Sequence, residues 1–209
     1  MDPSYLASKE GSGIGVKVNP QKILRTLDDH LDHEVRLIIY GRAALHLGFE
    51  EVRPEFGATE DVDGIVAMRQ LEALENDDQF WEAIEATNQA LESEGLYITH
   101  LFQEDQVFLR ADWESRILPV SRPETRWLRL FRPATLDLIL TKMMRGDDEQ
   151  DMNDVEFMIA HDQITPAEIE EAFRQVVIPD VLELRDAFEK AVPVVRQTVM
   201  DAGFQSRED

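Results

Sequence analysis

The sequence predicts an α+β protein, a mixed sheet flanked by helices and followed by a C-terminal helical part. Three observations lead there. Short apolar runs bounded by glycine or proline ("EVRLIIYG", "DVDGIVA", "LYITHLF", "RWLRLF") are confined to the chain before Pro133, where they alternate with segments of helical periodicity. From Pro133 onward every segment carries apolar residues three and four apart, as at Val181, Leu182, Leu184, Phe188 and Val192. No linker rich in Gly, Pro or Ser separates the two regions, so they are expected to pack on each other. The chain thus divides into a flexible N-terminus (1–18), an α/β core (19–132) and a C-terminal helical part (133–209).

Each element has its own signal. The Gly/Ser content of "SKEGSGIGVKV" predicts a flexible terminus; its G-x-G-x-G follows no strand and opens no helix, so it is not expected to be a phosphate loop. Asn19-Pro20, a cap followed by proline, predicts a helix of about three turns whose apolar stripe is Ile23, Leu24, Leu27 and Leu31. "EVRLIIYG" reads as a central strand ended by Gly41, and "RAALHLG" as a short helix closed by a second glycine. An extended loop is expected at "EEVRPEFGA", then the strand "DVDGIVA", then one or two amphipathic helices ending at Gly95. "LYITHLF" and "QVFLRADW" are expected to form a hairpin around "QEDQ", with "SRILPV" and "RWLRLF" as further strands. The remaining segments, "PATLDLILTKMMRG", "EQDMNDVEFMIAH", "TPAEIEEAFRQVV" and "PDVLELRDAFEKAVPVVRQTVMDAG", are helical throughout.

Composition narrows the function. With 209 residues, 43% hydrophobic and 31% charged, the chain can bury a sizeable core. It has no apolar stretch long enough to span a bilayer and no charged-then-apolar leader, so a soluble cytoplasmic protein is expected. The absence of cysteine excludes disulfides, thiol catalysis and Cys-ligated zinc. A net charge of −22 repels a phosphate backbone and argues against unaided nucleic-acid binding. It suits a basic protein partner, a small nucleotide whose charge is carried by metal ions, or acidic helices that serve solubility alone.

The chemistry concentrates at Asp61 and Asp63, which flank Val62 on a strand and therefore project from one face. Burying two adjacent carboxylates costs several kcal/mol unless a cation or hydrogen bonds compensate. Mg2+ is the natural partner, since it takes hard oxygen ligands and keeps waters or substrate phosphates in its other positions. D-x-D alone is also common at strand ends and turns. Gly41 adds context, because the helix that follows it offers free backbone N–H groups to an anion. Lys142 and Arg145 complement the end of their own helix, and Asp151 suits the first turn of the next. Arg126, Arg129 and Arg132 form the densest basic stretch, a candidate phosphate-facing strand edge. His30 and His33 lie three apart with no third ligand in sight and are expected on a solvated face.

Strand, glycine turn, short helix and a strand bearing D-x-D together resemble the nucleotidyltransferase fold of the DNA polymerase beta superfamily, so the sheet is expected to be nucleotidyltransferase-like. The run from Pro133 to Arg145, "PATLDLILTKMMR", followed by "QDMNDV", resembles the C-terminal part of toxin-type nucleotidyltransferases of bacterial abortive-infection and toxin–antitoxin systems. The resemblance spans roughly residues 34–160. It implies that Asp61 and Asp63 hold Mg2+, that Gly41 and Arg42 cradle a nucleoside triphosphate, and that Lys142 and Asp151 join the catalytic site, with Asp154 as the alternative to Asp151. Arg42 stands where the family has glycine or serine, and can either clamp phosphates or fill the pocket. The family's third metal-binding acid has one candidate, Asp112. Two functions follow. One is magnesium-dependent transfer of a nucleotide to an RNA or protein acceptor, with a basic partner such as an antitoxin. The other is a catalytically degenerate binding or regulatory module.

Overall fold

The computed structural model describes residues 18–205, so nearly all of the predicted flexible terminus, with its glycine-rich stretch, lies outside the described residues. The apolar run VRLIIY forms β1 (Val35–Tyr40), flanked by "DVDGIV" as β2 (Asp61–Val66) and "LRLFR" as β6 (Leu128–Arg132). With β3 (Tyr97–Gln103) and the two-residue β5 (Leu118–Pro119), these make a mixed five-stranded sheet in the order β3-β2-β1-β6-β5. β1 runs antiparallel to β2 and parallel to β6; β2 runs parallel to β3. The expected α+β architecture, a mixed sheet with flanking helices, is the one observed.

Alternation along β1 separates two layers. Val35, Leu37 and Ile39 point into the main core, where they join Val62 of β2 and residues of α1 (Asn19–His30), α2 (Gly41–Gly48) and α4 (Asp78–Leu91). Ile38 points the other way, into a smaller cluster with Ile65, Val107, Leu109 and Trp113. The register pairs Tyr40 with Asp63 and Ile38 with Ile65. Asp63 therefore sits at the end of the sheet where β1 gives way to Gly41.

Four helices follow β6: α5 (Thr135–Lys142), α6 (Glu149–Asp162), α7 (Pro166–Gln175) and α8 (Leu182–Gln205). α5 is buried along nearly its whole length, at Thr135, Asp137, Leu138, Ile139, Leu140, Thr141 and Lys142, so it is a central strut rather than a surface helix. α6, by contrast, presents Asp151 and Asp154 on a buried face. Among the described residues no helix is long and apolar enough to cross a membrane.

Three local expectations differ from the structure. Asn19 does not cap α1; Val18 occupies that position, while the Asn19 amide donates to the carbonyls of Ala58 and Thr59 (3.4 and 3.0 Å) and ties the helix to the entrance of β2. The predicted hairpin does not form. "EDQ" makes a tight 3₁₀ turn closed by reciprocal Gln103 and Gln106 bonds, and the chain leaves the sheet there. β4 (Leu109–Arg110) then pairs antiparallel with β7 (Val176–Val177), so the region after Pro133 is not wholly helical. The β-branched pair after α7 supplies backbone partners that β4 lacks in the main sheet. A buried ion pair anchors this small ribbon, because Arg110 donates to Asp137 of α5 through its backbone N–H (2.9 Å), Nε (3.1 Å) and Nη2 (2.6 Å).

Candidate functional site

A cleft of about 420 Å³ opens where β1 ends. Gly41, Arg42, Asp61, Asp63, Lys142 and Asp151 all line it, so six residues predicted for the site from four separate stretches converge. Gly41 makes the turn from β1 into α2 at φ +64°, a left-handed conformation that costs a side-chain-bearing residue about 1–2 kcal/mol. A Cβ added there would meet nothing within 4 Å, so the backbone conformation, not crowding, calls for glycine.

One wall is acidic. Asp61 Oδ1 accepts from Thr59 Oγ1 at 2.9 Å. Opposite Asp63 the register of β3 slips: Val62 pairs with Ile98 and Gly64 with Leu101, leaving Thr99 and His100 facing the single residue Asp63. Thr99 Oγ1 donates to Asp63 Oδ1 at 2.6 Å, and His100 Nδ1 lies 3.5 Å from the same oxygen. Burial pushes the Asp63 carboxyl above its ordinary pKa, and the charge of Asp61 adds to this against the Thr99 hydrogen bond. The neighbouring Tyr40 phenol is also pushed up, by burial and then by Asp63 and Asp61, so it remains a neutral donor beside them. No lysine or arginine among the described residues pairs with either carboxylate.

The facing wall is an ion-pair network. Lys142 Nζ, at the end of α5, donates to Asp151 Oδ1 (2.8 Å) and Asp154 Oδ2 (2.7 Å), which share a face of α6. Arg42 donates bidentately to Asp154 through Nε and Nη2, both at 3.1 Å. Arg145 Nε closes the chain on Asp151 at 2.5 Å. Three cations thus meet two buried carboxylates. Burial would raise the Asp151 carboxyl, but the Arg145 hydrogen bond and the Lys142 charge hold it below its ordinary pKa. Of the three cations Arg145 is the most exposed, with 58% of its side chain open to solvent, and its charged form is favoured by Asp151.

Several sequence-predicted residues stand elsewhere or act differently. Asp112 is not in the cleft: it precedes a 3₁₀ turn after β4 and pairs with Arg116 Nη2 at 2.6 Å. The reason is the missing hairpin, which takes β4 and the turn after it, with Asp112, out of the sheet that holds β2. The strand beside Asp63 carries Thr99 and His100 in place of a third acid. Arg42 lines the cleft, but its guanidinium is turned to Asp154. Arg132 is buried and donates to the carbonyls of Gly48 and Pro133 while Arg129 pairs with Glu34, so neither faces a phosphate site. Thr59, Thr99 and His100 were invisible as site residues. Only T-x-D at Thr59 to Asp61 offered a local signal, since Thr99 and His100 reach Asp63 through a bulge that no periodicity encodes.

Among the described residues no group of three or more His, Cys, Asp or Glu is placed to hold a metal ion. Asp61 and Asp63 instead offer two hard oxygen donors with no lysine or arginine of their own among the described residues. That set fits a Mg2+ ion that brings waters and triphosphate oxygens as its remaining ligands, and does not fit an all-protein cage.

Comparison with known families matches residues 20–187 to a family described as "Nucleotidyltransferase of unknown function (DUF6036)". No curated protein and no solved structure gives a match.

Proposed function

The chain belongs to this nucleotidyltransferase family, and we propose that it transfers a nucleotide from a nucleoside triphosphate to a hydroxyl of an RNA or protein acceptor, with Mg2+ as cofactor. The observation that carries this reading is the opposition of two carboxylates without a lysine or arginine partner, Asp61 and Asp63, to a cation-rich wall across one cleft. A magnesium ion held by Asp61 and Asp63 would supply charge neutralisation of the triphosphate when bound. The chain's own groups do the rest. Arg145 and Lys142 are assigned to the phosphates, offsetting negative charge that builds as the acceptor hydroxyl loses its proton to solvent, its oxygen bonds to the α-phosphorus and the bond to the departing pyrophosphate breaks. The turn at Gly41 presents the first N–H groups of α2 to the same anion. Thr59 and Thr99 hold the two carboxylates in fixed orientations. A net charge of −22 suits an acceptor or partner protein with a basic surface, in keeping with the resemblance to toxin–antitoxin components.

A second reading, a nucleotide-binding module without transfer activity, is favoured by one observation: Thr99 and His100 occupy the strand position beside Asp63 where a third acid would assist the acceptor hydroxyl. Incubation with each α-labelled nucleoside triphosphate, Mg2+ and a total RNA and protein fraction separates the two. Label transferred to an acceptor by the native chain and lost in Asp63→Asn supports transfer. Transfer that persists in Asp63→Asn overturns the assignment of the site, and magnesium-dependent binding without transfer supports the module.

A further inference from the structure

The cleft holds one donor that the folded chain leaves unused. Tyr40, the last residue of β1, pairs across the sheet with Asp63, as Ile38 pairs with Ile65. Cross-strand partners point to one face, so the Tyr40 ring stands beside the Asp63 carboxylate, on the side of the sheet opposite to Leu37 and Ile39. It lines the cleft and not the smaller pocket that Leu37 forms with α3 (Met68–Glu75). Its ring meets Phe102, another residue of the cleft, edge to face at 5.8 Å. That packing holds the ring and leaves the hydroxyl at its free end.

Among the described residues the Tyr40 hydroxyl makes no hydrogen bond. Three polar side-chain atoms there are both buried and unpartnered, Arg36 Nε, His46 Nδ1 and Gln79 Oε1; the Tyr40 oxygen is not one of them, so it opens to the cleft. Acceptors stand on both sides of it. Burial, then the charges of Asp63 and Asp61 on one wall and Asp151 on the other, disfavour loss of its proton. Each of the nearer carboxylates is supplied elsewhere, Asp63 by Thr99 at 2.6 Å and Asp151 by Lys142 at 2.8 Å. A phenol donor that faces both walls and is taken by neither calls for an acceptor held between them.

We infer that Tyr40 donates to a non-bridging phosphate oxygen of the bound nucleoside triphosphate; this rests on the proposed function and adds a substrate-binding residue to it. Phosphate oxygens accept and never donate when ionised, so an uncharged donor meets them with a charge-assisted bond. Lys142 and Arg145 on the facing wall draw the same group into the gap. The contact is to the part that all nucleoside triphosphates share. It therefore adds affinity without choosing the base.

Each of the four ribonucleoside triphosphates is titrated with Mg2+ into the full-length chain and into Tyr40→Phe by calorimetry. The variant keeps the ring on Phe102 and loses the hydroxyl alone, so its melting temperature is expected to be unchanged. Affinity is expected to fall roughly tenfold, by the same factor for every triphosphate that binds and for the 2′,3′-dideoxy form of the tightest. A change of less than about twofold in a folded Tyr40→Phe overturns the assignment of Tyr40 and leaves the proposed function standing. A loss confined to one base, or absent with the dideoxy form, moves the contact to base or sugar and overturns it too. No binding of any triphosphate by the native chain removes the site reading and this donor together. Should the variant fail to fold, the Cζ resonance of Tyr40, one of three tyrosines, is followed by NMR in the native chain. A saturable shift with the tightest triphosphate and Mg2+ supports the contact, and an unmoved resonance overturns it.

Discussion

Asp63 and Asp151 line the same cleft, yet their carboxyls are shifted in opposite directions. Asp151 is held by Lys142 and Arg145, and burial is overcome by charge. Asp63 has a threonine hydroxyl, a histidine ring edge and a second carboxylate nearby, and burial wins. The first wall is complete in the folded chain. The second has no lysine or arginine partner, and on the proposed function that asymmetry assigns the metal ion to the Asp63 side and the phosphates to the other.

The largest effect is expected from opening the complete wall. Asp154 is 1% exposed and compensates both Arg42 and Lys142, so Asp154→Ala leaves Arg42 unmatched and Lys142 with Asp151 alone. A loss of about 3–5 kcal/mol is expected in urea unfolding. Gly41→Ala, which forces a methyl-bearing residue to φ +64°, is expected to cost about 1–2 kcal/mol, read as a lower melting temperature.

The incomplete wall is expected to behave in the opposite sense. Because the folded-state pKa of Asp63 is raised, its stabilising contribution is present when it is protonated and is lost as pH rises through that raised value. Asp63→Asn should therefore gain on the order of 1 kcal/mol at neutral pH, and the gain should vanish in acid. Asp151, with its lowered pKa, contributes stability above its unfolded value that is lost as pH falls through the folded one, so Asp151→Asn should instead destabilise the neutral protein. Melting curves of both variants across pH check the pair of signs. The smallest stability effect is expected at Arg145, whose side chain is largely exposed: Arg145→Ala should change stability by less than about 1 kcal/mol. Its triphosphate affinity, read by calorimetry, should fall roughly tenfold.

Much of this was legible in the sequence, and the failures share a cause. β1, α2, β2 and the helices after Pro133 follow from apolar runs, apolar period and glycine punctuation, because each is stabilised by local pattern rather than by a partner distant in sequence. The spacing of Asp61 and Asp63 on one strand face and the glycine turn at Gly41 were readable from the residues, whereas Lys142 and Asp151 were reached only through the resemblance to the nucleotidyltransferases, and all five line one cleft. What sequence could not carry is pairing at a distance. Whether "QVFLRADW" joins β3 or the strand after α7 is decided by backbone partners more than sixty residues apart, and Asp112 left the site with it. Arg42 reads equally well as a phosphate clamp or a strut until Asp154, 112 residues on, is seen to hold it.

The central claim is that the acidic wall is completed by a magnesium-bound triphosphate. Isothermal titration of each nucleoside triphosphate into the native chain and into Asp63→Asn, with and without Mg2+, tests it most directly. Binding by the native chain that requires Mg2+ and disappears in Asp63→Asn is the predicted result. Binding that is independent of Mg2+ or survives in Asp63→Asn, or no binding of any triphosphate, contradicts it.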